Sequence, residues 1–257
     1  MSRVFITGSA DGLGSMAAQL LIDQGHSVVL HARNKTRADE AIKKVPHAET
    51  VVIGDLSAIK ETKSVAEQVN SLGIFDAVIH NAGIGDRERN RSNTVDGLPH
   101  VFAVNSLAPY LLTCLINKPK RLVYLSSGLH RSGDGSLKDL LWNDRKWNGF
   151  NAYSDSKLHD AILAFAVARK WSDGYSNAVD PGWVATKMGG ASAPDNLVEG
   201  YKTQVWLATS TDQNALVSGK YFFHQKIHDH HSAADDVAKQ DTFLKECEKI
   251  SGVTFPR

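Results

Sequence analysis

The chain has 257 residues, 42% of them hydrophobic and 22% charged, and its 29 basic and 28 acidic side chains leave a formal net charge of +1. This length is enough to bury one large core, and the even charge balance excludes a basic footprint for nucleic acid or for an anionic membrane. Two cysteines are too few for a disulfide framework, so we expect one domain over residues 1–257, in a reducing cytoplasm, with a small molecule as its partner.

Strands and helices are predicted to alternate along the chain. Short apolar runs mark seven strands, at residues 3–7, 27–32, 50–54, 77–80, 121–126, 176–180 and 220–223. Segments of helical periodicity lie near residues 12–24, 36–45, 58–72, 97–116, 152–171, 196–209 and 234–250. The alternation predicts a single doubly wound α/β domain of Rossmann type, whose seven-stranded parallel sheet is flanked by helices and binds ligands at the carboxyl ends of its strands. No apolar run reaches the ~18 residues of a membrane span, and we expect no leader before the first strand.

A glycine-rich segment, Thr7-Gly8-Ser9-Ala10-Asp11-Gly12-Leu13-Gly14, joins the first predicted strand to the first helix. Glycines let the backbone approach a pyrophosphate, whose charge would meet the free N–H groups and the positive dipole end of the helix. The spacing Gly-x3-Gly-x-Gly differs from the commonest dinucleotide fingerprint, and a tight strand-to-helix connection explains the glycines equally well. The turn by itself leaves nucleotide binding open.

The end of the second strand carries Arg33 where an acidic residue would hold the 2′-hydroxyl of NAD. An arginine at this place can accommodate a 2′-phosphate through charge-assisted hydrogen bonds, so the pattern favours NADP. Asp11 in the glycine turn argues against this choice, because its charge would repel a nearby phosphate. An ordinary solvated arginine is the alternative.

Asn105 precedes Pro109 by four residues in the predicted helix 97–116. Proline removes the hydrogen bond to the carbonyl four residues before it, which here is the carbonyl of Asn105. If the helix continues, that carbonyl could hold a water leading from Lys157 to solvent; otherwise the helix kinks or ends at Pro109.

Tyr153 and Lys157 lie four residues apart, near the start of a long predicted helix. They share one helix face, and a nearby cation and a helix N-terminus both favour an ionised phenol, so we expect the pKa of Tyr153 to be lowered. A phenol so placed can exchange a proton with a carbonyl or alcohol oxygen. Ser126 and Ser127 follow an apolar strand at the ligand-binding edge, where a hydroxyl can donate to a developing oxyanion or simply end the strand.

Taken in order, these landmarks resemble the short-chain dehydrogenase/reductase family over residues 3–210. Asp55-Leu56, Asn81-Ala82-Gly83 and the segment from Asp180 to Thr186 resemble further elements of that family. The resemblance is to retinol-dehydrogenase-like and carbonyl reductase members. It implies transfer of a hydride between nicotinamide and a carbon bearing oxygen, with the tyrosine as acid or base.

The resemblance also implies the site residues. The catalytic tetrad would be Asn105, Ser127, Tyr153 and Lys157, with Ser127 preferred over Ser126 by analogy. The cofactor would be NADP, with NAD less favoured. Its expected contacts are Gly8, Ser9, Gly12, Leu13, Gly14, Arg33, Asn34, Asp55, Leu56, Asn81, Ala82, Gly83, Tyr153, Lys157, Pro181, Gly182, Val184 and Thr186.

The interval of 26 residues between Ser127 and Tyr153 resembles that of the longer, retinol-dehydrogenase-like members. Its insertion, residues 128–150, and the loop 187–200 are expected to cover the substrate site. Aromatic side chains at Trp142, Trp147 and Phe150 predict an apolar wall and a hydrophobic or aromatic ketone or aldehyde as substrate. These aromatics would equally serve to pack the insertion onto the sheet.

Other interpretations stay open. A noncatalytic NADP-binding sensor or scaffold would need no complete tetrad, and the glycine spacing disfavours an epimerase or dehydratase of the same family. The histidine-rich run 224–231 is interpreted as a solvated loop rather than a metal site. His130 is a candidate substrate contact, and a homo-oligomer is allowed but not decided.

Overall fold

The computed structural model describes residues 1–86 and 88–256, and its helices and strands alternate as the sequence predicts. The strands are β1 (Arg3–Ile6), β2 (Ser27–Ala32), β3 (Thr50–Ile53), β4 (Ala77–His80), β5 (Arg121–Leu125), β6 (Tyr175–Asp180), β7 (Tyr221–Phe223) and β8 (Lys226–Ile227). The helices are α1 (Gly12–Asp23), α2 (Lys35–Lys44), α3 (Ile59–Ser71), α4 (His100–Phe102), α5 (Ala108–Leu115), α6 (Gly149–Lys170), α7 (Leu197–Thr209) and α8 (Val237–Ser251).

The described strands form one sheet in the order β3-β2-β1-β4-β5-β6-β7-β8. The first seven run parallel, which confirms the doubly wound α/β class, and the strand order reverses between β1 and β4, where such sheets bind ligands. The prediction of seven strands is wrong by one. His224 and Gln225 have φ of 47° and 62°, as in a two-residue hairpin turn, so the chain reverses after β7 and adds β8 as an antiparallel edge strand.

The core lies on both faces of the sheet. In β1, Phe5 packs with α3, α5 and α6 on one face, whereas Val4 and Ile6 pack with α1, α2 and α7 on the other. Successive strand side chains point to opposite faces, and both faces are covered here. This explains why the central strands are apolar without alternation, and it leaves the carboxyl ends of the strands as the open edge.

The helix predicted near residues 97–116 is continuous but changes form. A π-helical segment, Ala103–Leu107, separates α4 from α5, and Pro109 stands at the start of α5. Proline cannot donate to the carbonyl of Asn105, and the backbone widens over the turn before it. The helix therefore continues through Pro109, which is one of the two alternatives left open by the sequence.

The insertion 128–150 is irregular apart from a 3₁₀ turn at Gly128–Ser132. Trp142 and Trp147 pack edge to face with centroids 5.5 Å apart, and the Arg145 guanidinium lies 3.9 Å from the Trp142 ring centroid. The insertion's tryptophans thus pack the insertion itself. Asn148 caps α6 through Asn151 N, so this helix begins three residues before its predicted start at 152.

Candidate active site

A cleft of about 600 Å³ opens at the carboxyl ends of the strands, beside the reversal of strand order. Most residues proposed from the sequence line it. They are Gly8, Gly12, Leu13, Arg33, Asp55, Leu56, Asn81, Ala82, Gly83, Tyr153, Lys157, Pro181 and Thr186. Trp142, Trp147 and Phe150 do not line it. Its apolar wall comes instead from residues that include Ile84, Val104, Leu125 and Met188.

Several expected cofactor contacts have structural roles outside the cleft lining. Ser9 is buried, donating to Ile6 O and accepting from His31 N, and Asn34 caps α2 by accepting from Arg37 N. The other three are Gly14, which packs on Asn81; Gly182, which turns with φ of 80°; and Val184, which is buried. Motif position alone did not distinguish residues that face the ligand from residues that support the turn.

The glycine turn is held against its neighbours. Gly8 has φ of 63°, and a Cβ there would stand 2.7 Å from the Ala82 Cα, so only glycine fits. Its N–H donates to His31 Nδ1 at 3.0 Å, while His31 Nε2 donates to Gly54 O at 2.9 Å. Burial lowers the pKa of His31 to about 4, so this histidine is a neutral brace between the turn and the end of β3. In the sequence, His31 is a lone histidine within an apolar strand, and this pattern does not by itself predict the role of a brace.

Asp11 is surrounded by cations at the mouth of the cleft. It pairs with Lys44 and Lys187, and Arg37 Nη2 lies 3.4 Å from its carboxylate. Hydrogen bonds from Lys187 and Lys44 hold the pKa of Asp11 well below its ordinary value. Arg33 is exposed on the same rim and has no ion-pair partner among the described residues. The expected repulsion between Asp11 and a phosphate is therefore offset by its own partners.

Tyr153 and Lys157 lie together near the floor of the cleft, one helical turn apart on α6. The Lys157 ammonium is 5.7 Å from the Tyr153 ring centroid and donates to Leu125 O at 2.7 Å. It also donates to Asp160 Oδ2 at 2.9 Å, and both side chains of this ion pair are buried. Burial lowers the pKa of Lys157, but Asp160 more than offsets this, so the pKa lies above its ordinary value. The lysine is a fixed cation.

The pKa of Tyr153 is raised, contrary to the expectation from the sequence. Burial is the largest cause and outweighs the lowering by Lys157 and by the hydrogen bond from Ser127. Asp160 and Asp180 raise it further. The phenol is therefore protonated at neutral pH. The nearby cation and the start of the helix can be read from the sequence, whereas the burial of the phenol and the proximity of the two carboxylates cannot.

The two adjacent serines have different surroundings. The Ser127 side chain lies close enough to Tyr153 to lower the pKa of the phenol, and it accepts from Leu129 N at 3.3 Å. Ser126 borders the cleft, but its hydroxyl proton is donated to Lys157 O at 2.7 Å, which ties β5 to α6. Ser126 is thus a support for the helix.

Asn105 is fully buried, and its side chain is bound on three sides. Its Oδ1 accepts from Ile84 N at 2.9 Å, and its Nδ2 donates to Ile84 O and to Ser156 Oγ, both at 3.0 Å. A Cβ added to Gly83 would lie 3.6 Å from Asn105 Oδ1 and 3.5 Å from Lys157 Nζ. Asn105 therefore joins the loop after β4 to α6 and lies across Gly83 from Lys157.

His130 is not available to a substrate. It is buried, its Nδ1 donates to Ser127 O at 2.7 Å, and its Nε2 accepts from His231 N at 3.2 Å. Tyr221 stacks on its ring at 4.2 Å and donates to the same Ser127 carbonyl at 2.9 Å. Burial lowers the pKa of His130 to about 4. The suggested substrate contact is wrong, and His130 instead fixes the backbone of Ser127.

Among residues 1–86 and 88–256, no group of three or more histidine, cysteine, aspartate or glutamate side chains is arranged to hold a metal ion. Within the same part of the chain, no helix combines the length and the apolar character required to cross a membrane.

Comparisons with known proteins agree with this geometry. Residues 2–120 match the family described as short chain dehydrogenase. An uncharacterized oxidoreductase of Emericella nidulans is 47% identical over 100% of this chain and 99% of that protein. The short-chain dehydrogenase chry4 of Gibberella zeae is 42% identical with the same coverage, and human retinol dehydrogenase 14 is 29% identical over 85% of this chain and 77% of that protein.

Solved structures resemble the whole chain. An uncharacterized protein from Mycobacterium paratuberculosis gives a TM-score of 0.84, covering 100% of this chain and 96% of that one. The NADPH-bound carbonyl reductase from chicken fatty liver gives 0.66, covering 89% and 98%. Both are 23% identical in sequence, so they establish similarity of fold alone.

Proposed function

This chain belongs to the short-chain dehydrogenase family and is an oxidoreductase, and we propose that it uses NADP(H) to interconvert a hydrophobic carbonyl compound and its alcohol. The resemblance noted in the sequence is thereby confirmed at the level of the family. The observation that carries the proposal is the arrangement on the floor of the cleft, where a protonated phenol lies beside a buried lysine ammonium and close enough to Ser127 for this serine to lower the pKa of the phenol. These groups are suited to protonating a carbonyl oxygen.

The cleft mouth fits the phosphates of a dinucleotide. Gly8 and Gly12 of the glycine turn line the cleft, and the N-terminus of α1 follows this turn. Arg33, Arg37 and Lys44 stand on the rim, where a 2′-phosphate would find charge-assisted donors. Arg37 and Lys44 already pair with Asp11 or Glu40, whereas the exposed Arg33 has no ion-pair partner among the described residues, which supports NADP over NAD.

The protein side of the chemistry follows from the positions of the donors. When bound, nicotinamide would supply or accept the hydride. Tyr153 would donate its proton to the carbonyl oxygen, and the Ser127 hydroxyl would donate a hydrogen bond to the same oxygen. Lys157 stabilises the charge left on the phenol oxygen, because its ammonium is held near the ring and remains protonated. Asn105 keeps the loop after β4 against α6.

The substrate class follows from the cleft wall. Ile84, Val104, Leu125 and Met188 provide apolar surface in the same cleft as the catalytic phenol, and such surface supports a hydrophobic substrate. Residues 128–150 would act as a scaffold behind this wall rather than as the wall itself, since Trp142 and Trp147 pack on each other and Trp147 Nε1 donates to Glu88 O. We therefore favour aromatic or lipid-like aldehydes and ketones.

A panel of carbonyl compounds and alcohols, followed by the absorbance of NADPH and of NADH, tests the proposal. We expect stoichiometric NADPH oxidation with apolar aromatic or lipid-like carbonyls and a lower kcat/KM with NADH. Preference for small polar sugars would contradict the substrate class, and preference for NADH would contradict the cofactor. Cofactor binding without turnover would point to a sensor, and conversion of substrate without net oxidation of NADPH would point to an epimerase or dehydratase.

A further inference from the structure

Asp160 is a buried carboxylate that the Tyr153 and Lys157 pattern does not require. It lies one turn beyond Lys157 on α6, and its Oδ2 is 2.9 Å from Lys157 Nζ. The side chains retain 4% and 6% of their accessible surface. Taking two charges out of water is expensive, and such a pair is weak evidence for a gain in stability. A role at the adjacent catalytic residues is therefore the better explanation of its placement.

The groups that face Asp160 come from several elements, and their charges differ. Lys157 and Tyr153 face it from its own helix, Tyr124 faces it from β5, and Tyr221 faces it from β7. Asp160 raises the pKa of all three tyrosines. The Tyr124 hydroxyl is engaged with Thr113 Oγ1, and that of Tyr221 donates to Ser127 O. Within the described residues, Lys157 is the one cation in ion-pair contact with Asp160.

The position of the ion pair relative to the phenol gives it a chemical consequence. A lysine cation 5.7 Å from the Tyr153 ring centroid favours the phenolate. A carboxylate bound to that cation at 2.9 Å turns an isolated charge into a dipole, whose field falls off faster with distance. The ammonium also donates two hydrogen bonds, one to Leu125 O and one to Asp160 Oδ2, so the lysine side chain is fixed in place.

We propose that Asp160 is a positioning residue that anchors the Lys157 ammonium beside Tyr153 and offsets its charge, so that Tyr153 keeps its proton up to a higher pH and alcohol oxidation requires a higher pH. The inference rests on the proposed function, because it assigns Tyr153 the role of proton donor. In reduction, the phenol proton moves to the substrate oxygen as the hydride reaches the carbon. Oxidation runs the reverse transfer and needs the phenol deprotonated first.

Asp160→Asn tests the proposal, because it removes the charge and keeps the shape. The kcat of alcohol oxidation should rise with pH as Tyr153 ionises, and we expect the variant's profile to lie at least about one pH unit below that of the parent. Asp160→Glu, which restores the charge, should return the profile toward the parent. If the pH profile of alcohol oxidation is the same in Asp160→Asn as in the parent, the proposal is overturned.

Asp155 provides a matched control on the same helix. It is also a buried carboxylate in an ion pair, 2.9 Å from Arg145 Nη2, and it accepts from Asp134 N at 2.7 Å. Asp155→Asn removes a comparable charge that does not contact Lys157. We expect its pH profile to match that of the parent, even if its stability falls. A shift as large as that of Asp160→Asn would mean that any loss of charge on α6 has the same effect, which contradicts the specific role.

A second measurement does not depend on turnover. The ultraviolet absorbance of tyrosinate is followed during a pH titration, and subtracting the titration of Tyr153→Phe isolates the signal of Tyr153. Tyr153 should ionise at lower pH in Asp160→Asn than in the parent; ionisation at the same pH would refute the inference. If the parent fails to oxidise NADPH, the proposed function fails, while this titration still decides the effect of Asp160. Asp160→Ser replaces Asp160→Asn if the amide variant does not fold.

Discussion

Asp11 and Asp160 both pair with lysines that line the same cleft, yet their environments make them opposites. Asp11 lies at the mouth in contact with water, and its partners Lys187 and Lys44 hold its pKa well below the ordinary value. Asp160 lies beneath the floor, where burial outweighs its single partner Lys157 and raises its pKa to about 7. The balance between burial and the number of cationic partners decides the sign of the shift in pKa.

This difference separates two functions. The cations around Asp11 are on partly exposed side chains, and exposed ion pairs are weak, so these cations can exchange the carboxylate for a phosphate at little cost. The Lys157 ammonium has no such freedom, because it is buried and fixed by Leu125 O and Asp160. The mouth is therefore suited to binding a ligand of variable position, and the floor to holding a charge beside a reacting phenol.

The largest effect is expected on the floor. Lys157→Met removes the cation and leaves Asp160 buried without a partner, so kcat should fall by about 10²–10⁴-fold and the free energy of unfolding by about 3–5 kcal/mol. Steady-state kinetics and urea unfolding measure the two losses.

The double variant Lys157→Met with Asp160→Leu provides the control for this prediction. Because it replaces both charges with apolar groups, it should recover most of the stability and none of the activity. A single Lys157→Met variant as stable as the parent would show that the ion pair is not buried as described.

An intermediate effect is expected at the rim. Arg33→Ala should raise the KM for NADPH about 10–100-fold with little change in kcat, because it removes a charge-assisted contact to the 2′-phosphate. The KM for NADH, which lacks that phosphate, should hardly change. Arg131→Ala is the control, since Arg131 pairs with His228 and Asp229 O away from the cleft lining. Equal losses with the two cofactors would remove the basis for the assignment of NADP.

The smallest effect is expected for the exposed ion pair. Lys44→Ala removes one of several partners of Asp11, and we expect the free energy of unfolding to change by less than ~1 kcal/mol. The change should shrink further at high salt, because the pair is open to solvent. Urea unfolding at low and high ionic strength measures it. A loss as large as that of Lys157→Met would remove the distinction between mouth and floor.

The sequence was sufficient for the fold because its signals there are local and repeated. Apolar runs such as the one in β5 and the helical periods between them predict a parallel sheet covered on both faces, and the order of motifs along the chain places the cleft. The added strand β8 was missed because the turn at His224 and Gln225 lacks the usual asparagine-glycine signature.

The parts of the site that escaped prediction depend on burial and on contacts between distant segments. The spacing of Tyr153 and Lys157 indicated a shared helix face, but the raised pKa of Tyr153 follows from burial and from carboxylates whose side chains turn inward. Likewise His130 follows Ser127 so closely that it suggested a ligand contact, whereas stacking by Tyr221, from the far end of the chain, buries it. No local pattern reports such packing.

The most direct test of the account is NADPH-coupled reduction of an apolar aldehyde by the parent and by Tyr153→Phe, with NADPH binding to both measured by fluorescence. The phenol supplies the proton and makes none of the phosphate contacts, so kcat should fall by about 10²–10⁴-fold while the Kd for NADPH stays within about twofold. A Tyr153→Phe variant that reduces the aldehyde at the parent's rate would contradict the account.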